Sequence, residues 1–261
     1  MTGEKHQCKN CNHSYEGYFC SHCGQKRIEE RWTLKKLTNQ AAAAIFNFEK
    51  GYFYTFRKLL TNPGEVVQNF LNGNTVNYSN PFRYTLIGIA INIFFVLSLG
   101  IWELQVDATI ETYRELGIIS SAEKEATMRD QMQFFTKFMN VLPFLMVPFI
   151  SLVSMLFLRK HKLFYAEHFI MNTFLLGQAT LYGILNLILI YFIPDLLSFM
   201  PLIGFLIAAL VYSQIFHHMF NINYIKGFFL GFLIYIIGFV LFLFLGVAIG
   251  IIMAILFAIL S

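Results

Sequence analysis

After Lys226 the chain runs 35 residues, 227–261, without one formal charge. Four more uncharged stretches precede it. They are residues 84–102 between Arg83 and Glu103, 138–158 between Lys137 and Arg159, 169–194 between His168 and Asp195, and 196–216 before His217. A helix crossing about 30 Å of hydrocarbon needs roughly 20 such residues. The first four stretches therefore read as one span each. The last, as a single helix, measures about 52 Å at 1.5 Å per residue, longer than a tilted span requires. It is expected to fold back near Gly246 as two short spans, although Leu245 to Ile251 offers no polar turn residue. The alternative is one long helix. The expected fold is all-α, a polytopic transmembrane bundle of five or six spans, with six preferred. Composition agrees: 57% of residues are hydrophobic and 13% charged, about half the charge of a globular domain. That excludes a soluble enzyme and a disordered chain.

Basic residues flanking the spans set the orientation. Residues 1–83 hold 11 Lys/Arg against six Asp/Glu, whereas 103–133 hold three against seven. The next connection, Arg159-Lys160-His161-Lys162, is basic, the following one holds Asp195 alone, and the last holds His217, His218 and Lys226. Basic and non-basic connections alternate, which places the N-terminus in the cytoplasm. The start is polar and Cys-rich rather than basic-then-apolar, so the first span is expected to serve as its own insertion signal. The net charge of +4 is read as topology, with no nucleic-acid partner expected.

All four cysteines fall at Cys8, Cys11, Cys20 and Cys23, with Gly24 next. A two-residue gap lets both thiolates of a knuckle face one ion, and four thiolates fill the tetrahedron that Zn²⁺ prefers. Gly24 suits the positive φ of such a turn. The spacing predicts a small zinc ribbon with a closed, structural site. Two disulfides or free thiols are the competing reading, and the reducing cytoplasm disfavours disulfides. Zinc is expected to supply the folding energy of so short a segment. His6, His13 and His22 read as surface residues.

Between ribbon and membrane, residues 32–60 are amphipathic. Trp32, Leu34, Leu37, Ala41, Ala44, Ile45 and Phe48 recur at near-helical spacing, and Phe53, Phe56, Leu59 and Leu60 continue an apolar face after Gly51. Asn62-Pro63-Gly64-Glu65 predicts a helix start, with Asn62 as N-cap and Pro63 at the first position. Gly73 is placed to stop that helix. These helices either lie in the headgroup layer or pack on the base of the bundle. Pro81 predicts that the first span begins at or after it.

Phe19-Cys20-Ser21-His22-Cys23-Gly24-Gln25, Asn62-Pro63-Gly64-Glu65-Val66-Val67, Phe70-Leu71-Asn72-Gly73, Tyr78, Asn80-Pro81-Phe82-Arg83 and Tyr165-Ala166-Glu167-His168 together resemble the DUF3667 group, bacterial membrane proteins of unknown function. The resemblance implies a zinc ribbon followed by a membrane bundle in a bacterial inner membrane, and it supplies no activity. The family pattern has further histidines about two turns after the Glu-His pair. Here Phe174 and Leu176 stand near those places.

No span carries a charge at its centre, which speaks against a pump. Polar groups remain: Asn92, Asn140, Ser151, and a line along one helical face of His168, Asn172, Ala179, Tyr182 and Asn186 with Gln178 beside it. That line is either a seam facing a pathway or lipid, or ordinary interhelical hydrogen bonding. Glu167, His168, His217 and His218 are expected together at the cytoplasmic face, where they form a candidate second metal site or separate interfacial contacts. Gly246, Gly250, Ala254 and Ala258 recur every four residues and suggest a packing seam, within one chain or between copies as a homo-oligomer.

The expected organisation is a ribbon over 1–27, juxtamembrane helices over 28–82 and the bundle over 83–261. Three function classes follow. The preferred one is a scaffold whose zinc ribbon docks a cytoplasmic protein. The others are a passive channel, carrier or lipid-handling bundle, and a metal-dependent membrane enzyme at the Glu167 cluster. Enzymatic activity is uncertain, leaning against.

Overall fold

The computed structural model describes residues 5–27, 33–34, 51–136, 138 and 141–260, without the side chains of 135 and 249–260. The amphipathic stretch from Trp32 to Phe48, Thr33 and Leu34 excepted, and Asn140 lie outside the described residues. Strands β1 (Lys5–Gln7) and β2 (Ser14–Glu16) pair antiparallel, with His6 opposite Tyr15. The longer elements among the described residues are helices: α1 (Tyr52–Thr61), α2 (Pro63–Leu71), α3 (Pro81–Ser98), α4 (Ile101–Glu115), α5 (Ala122–Thr136), α6 (Leu142–Phe157), α7 (Tyr165–Phe192), α8 (Met200–Phe220) and α9 (Tyr224–Leu260).

Two Asn-Pro pairs start helices in the same way. The Asn62 side chain accepts the Glu65 N–H at 3.3 Å, and the Asn80 side chain accepts the Phe82 N–H at 2.9 Å. Each satisfies an N–H that the first turn leaves unpaired, and the proline that follows has none to satisfy. Gly73 ends α2 at φ +91°, a left-handed turn that glycine enters freely. Gly100, at φ +66°, ends α3 earlier than the uncharged stretch does, so Ile101 and Trp102 open α4 instead.

Among the described residues, four helical segments are long and apolar enough to cross a membrane: Pro81–Ser98, Tyr165–Phe192, Pro194–Phe220 and Tyr224–Ala248. The chain has the character of a multi-pass membrane protein. Leu142–Phe157 is also apolar but has 16 residues, about 24 Å of helix, shorter than the uncharged stretch 138–158 promised. It nonetheless runs alongside α7, with Ser154 near the start of that helix beside His168 and Tyr165 bonded to the Pro148 carbonyl. The expected fold-back near Gly246 does not occur. α9 is a single helix of 37 residues, about 55 Å long. No residue between Leu245 and Ile251 supplies a polar group or proline to break it.

The acidic segment 103–133, read as a loop, is largely a helical hairpin. α4 and α5 meet across Val106, Ile110 and Ile119, with Met128 and Met132 against them. Arg114 pairs with Glu125 at 2.6 Å and Arg129 with Asp107 at 2.7 Å. In the bundle, α3 lies on α7, α9 runs along α8 and α6, and α2 packs on α8. Close approach requires small residues. A Cβ on Gly177 would stand 2.7 Å from the Thr85 hydroxyl, and one on Gly64 would stand 2.4 Å from the Cβ of His218.

α2 settles one of two expectations for its segment. Val66, Val67 and Phe70 are buried, and Phe70 meets Phe174 edge-on at 5.3 Å, so this helix is part of the bundle's base. α1 presents both faces: Leu59 is fully buried, while Phe53 and Leu60 are exposed.

Candidate metal centre

The two Cys-x-x-Cys turns repeat one backbone design. The Cys8 N–H bonds the His13 carbonyl at 2.9 Å, and the Asn12 N–H bonds the Cys8 carbonyl at 2.9 Å. In the second turn Cys20 N–H bonds the Gln25 carbonyl at 2.9 Å, and Gly24 N–H bonds the Cys20 carbonyl at 2.8 Å. Both turns close through a left-handed residue, Asn12 at φ +57° and Gly24 at φ +74°. Gly24 was legible from the motif. Asn12 is its counterpart, legible only because asparagine tolerates this conformation better than other non-glycine residues. Each turn caps a short antiparallel pairing, β1 with β2 and Phe19 with Lys26.

These turns place all four sulfurs within 4.8 Å of one another. Cys8 and Cys23 Sγ lie 3.5 Å apart, and Cys11 and Cys20 Sγ 3.6 Å. A disulfide needs about 2.05 Å, so these are four free thiols. A tetrahedral ion with thiolate bonds of about 2.3 Å sets its sulfurs about 3.8 Å apart. The quartet fits such an ion with almost no rearrangement. Tyr15 closes the apolar side, packed on Cys8 and Cys20.

The thiols also divide electrostatically. The backbone at His13 favours a Cys11 thiolate, but loss of water and the three neighbouring sulfurs outweigh it and push that thiol up to about 12. Hydrogen bonding from Asn10, against a smaller opposing effect of burial, draws Cys23 down to about 6. Without a cation, Cys11 keeps its proton at neutral pH. A bound dication displaces that proton.

The ribbon is fastened to the rest of the chain by a residue that composition did not single out. Gln25 is 2% exposed. Its Oε1 accepts the N–H groups of Thr75 and Val76 at 3.0 and 2.9 Å. Its Nε2 donates to the carbonyls of Gly73 and Lys26, both at 2.8 Å. Asn77 adds a bond to Asn10 at 3.0 Å. The loop after α2 is thus the ribbon's receptor. Gln25 follows directly on the second knuckle, so the metal site and the clamp share backbone.

Residues 49–93 match the family model described as a protein of unknown function, DUF3667. Over this segment the chain is similar to the DUF3667 family. No curated protein and no solved structure matches it. The matched DUF3667 segment contains α1, α2, the clamped loop and the first turns of α3, which places the ribbon's receptor inside the family's own segment.

The second expected metal cluster is not assembled. Among the described residues, no group of three or more metal-ligating side chains includes Glu167, His168, His217 or His218. Each has a local task. Glu167 accepts the Phe164 N–H at 2.8 Å and caps α7. His217 stacks on Tyr224 with ring centroids 3.9 Å apart, its Nδ1 3.1 Å from the Ile222 carbonyl oxygen. His218 lies against Gly64. His168 is buried, with Nδ1 3.0 Å from Ser154 Oγ.

His168 belongs to a polar knot joining α6, α7 and α8. Asn172 Nδ2 donates to Ser151 and Ser154 at 3.2 and 3.1 Å and to the His168 carbonyl at 2.8 Å, and Tyr212 donates its hydroxyl to Asn172 Oδ1. Ser154 gives its proton to the Ser151 carbonyl at 3.1 Å. It is then left to accept from His168 Nδ1–H, which leaves Nε2 a lone-pair nitrogen without a partner among the described residues. The half of the predicted polar line nearest the start of α7 is therefore interhelical hydrogen bonding. Asn92 behaves likewise, donating to the Thr180 carbonyl at 3.0 Å, and Gln178 accepts the Tyr84 hydroxyl. Gly246 has open space where a Cβ would stand. Gly250, Ala254 and Ala258 lie beyond the described side chains.

Proposed function

We propose that this protein is a membrane-anchored scaffold whose zinc-loaded ribbon, held at a fixed position on the bundle, presents a docking surface to a cytoplasmic protein. Exposed aromatics on the ribbon carry the reading: Tyr18 is 80% and Phe19 60% exposed. Exposed adjacent rings on a rigid support give contact area at little entropic cost. Four thiolates with no fifth protein ligand make a closed site, which favours a structural ion over a catalytic one. Zinc is the ion best suited to four thiolates in a tetrahedron.

The bilayer is the bacterial inner membrane and the ribbon faces the cytoplasm. Basic residues support this orientation: Lys58, Arg83, Arg159, Lys160, Lys162 and Lys226 gather toward the ribbon's end of the bundle, while the acidic α4–α5 hairpin lies at the other. In this reading α6 makes the fifth passage, returning the chain from the hairpin to the ribbon's side.

A photoreactive phenylalanine analogue placed at Tyr18 tests the proposal in cells. One discrete protein adduct is expected, lost in Cys20→Ser, where the ribbon cannot hold its ion. An adduct of equal yield in Cys20→Ser, or adducts to lipid alone, would refute it.

A further inference from the structure

The two halves of the polar line on α7 differ. His168 and Asn172 are tied into the knot with α6 and α8. Asn186, farther along the same helix, is only 7% exposed, yet its Oδ1 is buried without a hydrogen-bond partner among the described residues. A buried amide oxygen left unpaired costs on the order of 1–3 kcal/mol. The residue also lines a cavity of about 370 Å³ between α7 and α8, walled by Leu185, Leu189, Ile207 and Leu210, with Tyr182 and the exposed Gln214 at its end nearer the ribbon.

Position gives this cavity its meaning. Measured along the helices at 1.5 Å per residue, its lining begins about 4 Å from the end opposite the ribbon, at Leu189 and Ile203. It ends about 21 Å in, at Gln214. That interval is close to one leaflet of a roughly 30 Å hydrocarbon core. The walls are branched apolar side chains, and the volume falls within the range of ligand sites. Asn186 sits about 9 Å from the helix end. An amide offers one acceptor and two donors, which a single hydroxyl answers on both counts.

We infer that the α7–α8 cavity binds one chain of a hydroxyl-bearing lipid from the leaflet opposite the ribbon, with the hydroxyl on the Asn186 amide and the hydrocarbon against Leu185, Ile207 and Leu210. A second copy of the chain is a poor occupant. Its largest exposed apolar helix, α9, carries one polar side chain between Gly227 and Leu260, Tyr235, and that ring packs on Phe205 at 5.7 Å. Such a helix brings nothing to pair with Asn186. The inference stands apart from the ribbon's role and fails or survives independently of it.

The test uses the full chain in phosphatidylcholine nanodiscs containing a small fraction of a 16-carbon monoacylglycerol with a diazirine in its chain. After irradiation, labelled peptides are mapped. Label is expected to concentrate on 185–189 and 207–210. It should fall about fivefold in Asn186→Leu, the loss of one buried hydrogen bond, and vanish in Leu210→Trp, which fills the cavity from its exposed rim. A diazirine phosphatidylcholine, lacking the hydroxyl, should label these positions no more than it labels α6. Equal labelling of the exposed faces of α6 and α9, or labelling unchanged in both variants, would overturn the inference. Leu210→Trp keeps the test sharp should Asn186→Leu disturb folding.

Discussion

Replacing Gln25 by alanine isolates the clamp between ribbon and bundle. The substitution removes acceptors from Thr75 N–H and Val76 N–H and a donor from the Gly73 carbonyl. Water cannot readily replace them, because Gln25 is buried and the Gly73 contact is enclosed. Each backbone group left unpaired costs about 1–3 kcal/mol. Partial relaxation of the loop reduces the sum, so about 3 kcal/mol is a reasonable total, on the order of a hundredfold in the docking equilibrium. Amide hydrogen exchange of the full-length protein in micelles reads this directly, since the peptide spanning 73–77 holds both N–H groups. That peptide should exchange on the order of a hundredfold faster in Gln25→Ala. Gln25→Glu keeps the acceptors for Thr75 and Val76 but loses the donor, and should fall between. Zinc content should not change in either variant, since both leave the knuckle sulfurs in place. Unaltered exchange at 73–77 in Gln25→Ala would refute the clamp.

Other perturbations probe separate joints. Gly64→Ala drives a methyl into the Cβ of His218 and should cost about 1–3 kcal/mol, read as an earlier unfolding midpoint in mixed detergent and denaturant. Tyr212→Phe removes one interhelical hydrogen bond to Asn172 and should cost only about 0.6 kcal/mol. Asn172→Leu, which strips Tyr212, Ser151 and Ser154 at once, should cost clearly more in the same assay. Acid should release the metal. Cys11 retains its proton up to about 12 in the metal-free ribbon, so the ion must displace it on entry, and falling pH favours its return. A chromogenic chelator should therefore extract metal faster as pH drops from 8 to 5, and the reverse trend would contradict thiolate ligation.

The parts legible in the sequence were those fixed by local chemistry. The knuckles follow from cysteine spacing, the helix starts at Pro63 and Pro81 from Asn-Pro, and the spans at α7 and α8 from their lack of charge. What escaped depended on partners distant in the chain. Gln25 is an ordinary polar residue until the loop some 50 positions later folds against it. The α4–α5 hairpin is masked by its acidic charge, which marks a connection, although Val106 with Ile110 and Met128 with Met132 carry the i, i+4 spacing of a helical seam. The Glu167–His218 cluster looked plausible from shared depth alone. Depth does not say which way a ring faces on its helix, and capping, stacking and close packing claimed these side chains instead. Continuity of α9 past Gly246 could have been favoured outright, since glycine without a polar or proline neighbour is a weak breaker in lipid.

Central to the account is a ribbon folded by one thiolate-bound ion. Elemental analysis of the purified full-length protein, with thiol counting under denaturing conditions, tests this most directly. One zinc per chain with four titratable thiols is predicted, and Cys20→Ser should lose the zinc. A metal-free preparation with cysteines paired as disulfides, or zinc retained in Cys20→Ser, would contradict it.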